Sequence, residues 1–126
     1  MILDDFFAAA AVFDEDALAR VLHPDARISE MPNAINREGT ERDLAAAREA
    51  FGRGRGLLAS QTYDVHQVVE AGDTIAARAT WRGTLAATGQ ELTAHIATFT
   101  QVRDGRIFRH ATYDCYEPLA APITAP

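Results

Sequence analysis

The sequence predicts an α+β fold in which helices come first and an antiparallel sheet follows. Through the first half of the chain, apolar residues recur at spacings of three and four. From Leu57 onward they alternate with polar residues, in four long segments separated by the turn signals Ala-Gly-Asp, Ala-Thr-Gly and Arg-Asp-Gly-Arg. Helices placed ahead of a meander leave a sheet to wrap over them.

Ile2, Leu3, Phe6, Phe7, Ala10 and Phe13 form the apolar stripe of a first helix. Asp14 caps a second helix, with Ala17, Leu18, Val21 and Leu22 on its buried side and His23-Pro24 as its stop. Residues 26–31 read as a short strand, followed by an irregular loop around Pro32, Asn33 and Asn36. Thr40 and Asp43 resemble a capping box opening a third helix, in which Leu44, Ala47 and Phe51 share a face. The run Gly-Arg-Gly-Arg-Gly from Gly52 to Gly56 is expected to end it. That run follows a helix and lacks a Gly-Lys-Ser/Thr ending, so it is not a phosphate loop.

At 126 residues and 48% hydrophobic, the chain can bury one core, and a single domain over 1–126 is expected. The formal charge of −6, with no lysine, opposes a nucleic-acid groove, because phosphate neutralisation needs clustered cations. A lone Cys115 rules out an intrachain disulfide and any multi-cysteine zinc site. The histidines His23, His66, His95 and His110 lack metal-ligand spacing, so no metal is expected. Asp4 and Asp5 stand where a signal peptide carries positive charge, and no apolar run is long enough to span a bilayer. A cytoplasmic protein without a membrane partner is the expectation.

Asp104-Gly105 is a strong signal for a two-residue type I′ hairpin. Regular pairing from that turn sets His95 opposite Asp114, Phe99 opposite His110 and Ala97 opposite Thr112. Carried through the two earlier turns, the same register places Arg78, Thr80, Arg82, Gln61, Tyr63, Val65 and Gln67 on that face. Ile75, Ala77, Ala79, Trp81, Ile96, Val102, Ile107 and Tyr113 fall on the other. The His95/Asp114 neighbours have two readings: a cross-strand pair that only stabilises the sheet, or a general base oriented and tuned by an imidazole. A bulge anywhere along the hairpin would reverse every residue beyond it. Cys115, next to Asp114, alternates to the opposite face and reads as a small buried hydrophobe, not as a nucleophile.

The stretch "DEDALARVLHPDARI", the Gly39-Thr40 entry to the third helix and the last strand "DGRIFRHATYDCYEP" resemble the SnoaL-like branch of the nuclear transport factor 2-like superfamily. The resemblance covers nearly the whole chain. It implies a cystatin-like cone, a curved antiparallel sheet around three N-terminal helices, with a largely apolar pocket and often a homodimer. Family enzymes include polyketide cyclases, ketosteroid isomerases, dehydratases and limonene-type epoxide hydrolases, all working without cofactor, and other members only bind ligands. Position by position, the resemblance is partial. Arg78-Ala79-Thr80 keeps the arginine of the epoxide hydrolases' Arg-x-Asp, but Thr80 and Thr112 stand where that chemistry uses carboxylates. Asp114 is the nearest candidate for the cyclases' acid/base residue, and His95, His110 and Asp114 loosely resemble the dehydratase set.

These readings define the candidate sites. Asp114, His95, His110 and Arg78 are the candidate catalytic residues, with Asp114 as acid or base and Arg78 or Tyr63 stabilising an oxyanion. Glu30, Asn33, Tyr63, Thr80, Thr112 and Phe99 are the candidate ligand contacts. The expected partner is a hydrophobic, carbonyl-bearing small molecule processed by a lyase or isomerase. The alternatives are a noncatalytic ligand-binding module and a dimerisation domain.

Overall fold

The computed structural model describes residues 1–119. Three helices, α1 (Ile2–Ala11), α2 (Glu15–Val21) and α3 (Leu44–Leu57), pack on one six-stranded sheet. The strands are β1 (Leu22–Glu30), β2 (Thr40–Arg42), β3 (Leu58–Ala71), β4 (Thr74–Leu85), β5 (Glu91–Arg103) and β6 (Arg106–Tyr116), in the order β2-β1-β6-β5-β4-β3. The sheet is curved and unclosed, and the α+β cone expected from the sequence is present. Within it, β1 runs parallel to β6, and every other neighbouring pair is antiparallel.

The helices form where the patterns place them. α1 buries Leu3, Phe6, Phe7 and Ala10 and keeps Asp4 and Asp5 in its first turn, where the positive end of the helix dipole favours them. Asp14 caps α2 by accepting the Ala17 N–H at 3.0 Å, and Asp43 caps α3 by accepting that of Ala46 at 2.9 Å. Thr40 is not part of this cap: residues 40–42 instead form β2 at the sheet edge. β1 likewise starts at Leu22, earlier than expected, because Leu22 already pairs with Ile107 before an irregularity that holds Pro24.

The glycine run does not end α3, which continues to Leu57. A Cβ at Gly54 would lie 2.5 Å from Cε1 of Phe13, so the bare backbone admits the Phe13 ring against the helix. The Arg55 guanidinium donates to the Phe13 carbonyl on the same side. Tertiary contact thus overrides the helix-breaking propensity of glycine.

The turns are as expected: Gly72-Asp73 joins β3 to β4, and Asp104 and Gly105 adopt φ of 54° and 72°, the conformation a type I′ turn needs. The faces are not, because β-bulges intervene, two of them between the turns and the candidate residues. β5 and β6 pair Val102 with Ile107 but Gln101 with Arg109, which leaves Phe108 as the extra residue. On β3, His66 is the extra residue between the Val65–Ala79 and Gln67–Arg78 pairs. Each bulge reverses the strand beyond it.

The corrected register sets His95 opposite Cys115 and Asp114 opposite Ile96. The expected His95/Asp114, Phe99/His110 and Ala97/Thr112 pairings do not form. Tyr63 pairs with Trp81, so both face the helices with Ala79, Ala77 and Ile75. No helix among the described residues is long and apolar enough to cross a membrane.

Candidate functional site

The concave, helix-covered face of the sheet encloses a cavity of about 250 Å³. Pairing across the strands arranges its wall in rows. Tyr116, Ala94, Trp81 and Tyr63 make one row, and Asp114, Ile96 and Ala79 the next. Glu30, Thr112, Thr98 and Ala77 follow, then Ile28, His110, Thr100 and Ile75. α1 covers the rows from above, with the Phe7 ring stacked on Tyr63 at 4.7 Å and Phe6 against His110 at 4.5 Å. Phe51 from α3 and Arg42 from β2 complete the lining.

Burial falls along this wall. His110, Thr98 and Thr100 are almost fully buried beside the main core, whereas Trp81 and Tyr116 are only partly covered. The cavity therefore has a closed end at His110 and a more open end at Tyr116.

Asp114 sits between the two ends, and its carboxyl is held above the ordinary carboxylate range. Burial is the largest cause, a hydroxyl bond from Thr112 works against it, and the Glu30 charge adds to it. The Thr112 hydroxyl donates to Asp114 Oδ1 at 2.5 Å. The phenols of Tyr63 and Tyr116 are both pushed up by burial and then by the charges of Asp114 and Glu30, so they stay protonated within electrostatic reach of Asp114. Burial alone pushes His110 down to about 4, which keeps its imidazole neutral. His110 Nδ1 shares a hydrogen bond of 2.9 Å with Thr100 Oγ1.

The candidate residues separate by face. Asp114, His110, Thr112, Tyr63 and Glu30 line the cavity. Asn33 lies just outside, donating to Glu30 Oε2 at 2.8 Å and using its own amide oxygen to hold the loop through Ile35 and Asn36. His95, Arg78, Thr80 and Phe99 do not reach the cavity: they lie on the convex face of β4 and β5, whose mutual register is unbroken, and the bulges on β3 and β6 turn Tyr63, His110, Thr112 and Asp114 to the opposite, concave face. On the convex face His95 Nε2 pairs with Glu117 at 2.8 Å, Thr80 meets His66 at 2.7 Å, and Arg78 lies beside Gln67 and Val69. Phe99 borders a shallow convex depression with Arg27, Gln101 and Arg109. Cys115 is exposed there, not buried as expected.

Sequence reasoning missed Trp81, Tyr116, Phe6, Phe7, Arg42, Gln61 and Thr98 as cavity residues. A signal was present for Trp81: Gly83, two residues along the same face, has no side chain, and a Cβ there would lie 2.5 Å from the indole. Trp81 Nε1 donates to Gln61 Oε1 at 2.7 Å, which fixes the ring as the cavity wall. Gly83→Ala is expected to displace the indole, break that bond and destabilise the fold by about 1–3 kcal/mol. Because Trp81 is the single tryptophan, its emission maximum reports the change directly. An unshifted spectrum with full stability would contradict this packing.

Among the described residues, no three His, Cys, Asp or Glu side chains gather as a metal ion would require. A family model for the SnoaL-like domain matches residues 3–110. The chain belongs to the SnoaL-like family. The search of curated proteins finds no match. Among solved structures, this SnoaL-like chain is similar to wild-type IdmH of Streptomyces antibioticus, a protein provisionally assigned as a polyketide cyclase. The identity is 27% and the TM-score 0.75, over 90% of this chain and 88% of that one. A ketosteroid-isomerase-like protein of Catenulispora acidiphila, solved with trimethylamine, shares 16% identity with a TM-score of 0.77 over 90% and 85%. An LEH-like epoxide hydrolase of M. tuberculosis shares 17% with a TM-score of 0.73 over 90% and 79%. At those identities the last two show the fold alone.

Proposed function

We propose that the chain binds a hydrophobic carbonyl compound in the cone and acts on it by cofactor-independent acid/base chemistry, as an isomerase, cyclase or dehydratase. The observation that carries this reading is Asp114, a carboxyl raised by burial and facing the cavity beside two protonated tyrosines. Its carboxylate takes a proton from the carbon next to the carbonyl. The electron pair moves onto the carbonyl oxygen, where a Tyr63 or Tyr116 hydroxyl donates to the enolate. Returning the proton to another carbon gives isomerisation, and attack of the enolate on a second carbonyl gives cyclisation. Similarity to IdmH supports the cyclase branch.

Arg78 and His95 have no part in this scheme, because they lie on the convex face. The homodimer implied by the resemblance belongs to the same reading: exposed Phe99 and Tyr113, with ring centroids 5.9 Å apart, leave apolar convex surface for a second copy.

The test is turnover of polyketide-like and steroid-like ketones by the wild type and by Asp114→Asn. Turnover that depends on Asp114 supports catalysis. Tight binding without turnover in either protein would establish a noncatalytic ligand-binding module instead.

A further inference from the structure

The Thr98 hydroxyl is buried against the cavity wall and has no hydrogen-bond partner. Its residue is only 1% exposed. An unpaired buried hydroxyl is costly, and folded proteins satisfy nearly all such groups. The neighbouring His110 ring uses Nδ1 on Thr100, and its Nε2 has no protein partner among the described residues. Both residues line the cavity, on neighbouring rows at its more buried end, with Phe6 against His110.

We propose that Thr98 Oγ1 and His110 Nε2 form an oxygen-binding subsite at the closed end of the cavity, taking an uncharged hydroxyl or carbonyl of the ligand. Each protein group both suits and lacks such a partner: a hydroxyl donates or accepts, and a neutral imidazole nitrogen does either according to tautomer. Asp114 pairs with Ile96, two residues along β5 from Thr98, which makes Asp114 and Thr98 diagonal neighbours about 7 Å apart. The ligand class follows: a compound with two oxygen functions, one for this subsite and one toward Asp114. This inference rests on the cavity being a ligand site, as proposed above, but not on the proton transfer.

Calorimetric titration of 2,6-dihydroxynaphthalene and 2-naphthol into wild type, Thr98→Val and Thr98→Ser tests it. In wild type and Thr98→Ser, the second hydroxyl is expected to improve Kd about tenfold, and in Thr98→Val less than about twofold. Without ligand, Thr98→Val is expected to raise the thermal midpoint by about 3 °C, since an isosteric methyl replaces an unpaired hydroxyl. The His110 Nε2 resonance is expected to shift with the diol and not with 2-naphthol. Equal gains from the second hydroxyl in all three proteins, absence of diol binding to wild type, or a lowered midpoint in Thr98→Val would each overturn the subsite. Because these readouts are binding and stability, they stand apart from the acid/base reading, which fails on turnover alone.

Discussion

Asp114→Asn is expected to lower kcat on a responsive carbonyl substrate by about 10²–10⁴-fold while leaving substrate affinity within a few-fold. The amide keeps the shape of the carboxyl and still accepts the Thr112 hydroxyl. It cannot take a proton, so kcat and kcat/KM fall together, the pattern of an interaction made only in the transition state. His95→Gln is the contrasting control. His95 pairs with Glu117 on the far side of the sheet, so this change is expected to leave both constants unaltered. Steady-state kinetics of the two variants decides between the register with bulges and the one without, in which His95 orients Asp114.

The second large effect is acid destabilisation through His110. Its folded pKa lies at about 4 against an ordinary value of 6.5. Above 6.5 the ring is neutral in folded and unfolded chains, and the site costs nothing. As pH falls from 6.5 toward 4, the unfolded chain takes up a proton that the folded one refuses, and stability is lost across that window. The loss amounts to about 3 kcal/mol by the acid end. Asp114 works in the opposite direction: its raised pKa makes the folded state gain the proton first, which returns stability as pH falls through that pKa. Urea denaturation at about pH 7 and about pH 4.5 is therefore best compared between the wild type and His110→Gln, both carrying Asp114→Asn. The glutamine amide retains a partner for Thr100 and does not titrate. Its stability is expected to change far less over this range, and an equal loss in both proteins would remove His110 as the cause.

The helices, the turns and the α+β order were legible because each depends on local chemistry. Apolar spacing sets α1, the Asp14 and Asp43 side chains cap α2 and α3, and Asp104-Gly105 supplies two positive φ values. Strand faces were not legible, since a bulge is decided by what the extra residue gains in the assembled fold. Phe108 is the instructive case. With the bulge, Ile107 enters the core while Phe108 also buries its ring, under the Arg103 and Arg109 guanidiniums at 3.7 and 3.9 Å and beside His23 at 5.2 Å. Strict alternation would expose one of the two. The adjacent apolar pair Ile107-Phe108 was the only trace of this in the sequence, and at His66 there was no comparable trace. Consequently Asp114, His110 and Thr112 were found for the cavity, but His95, Arg78, Thr80 and Phe99 were grouped with them across the sheet.

The central claim is that Asp114 belongs to the concave cavity with Tyr63 and Tyr116 and is electrically separate from His95. It is tested most directly by a carbon-13 NMR titration of the Asp114 carboxyl in ligand-free wild type, Tyr116→Phe and His95→Gln. The expected result is a pKa above the ordinary 3.8 in all three proteins, with the same value in His95→Gln as in wild type. A value at or below 3.8, or one that moves when His95 is replaced, would contradict it.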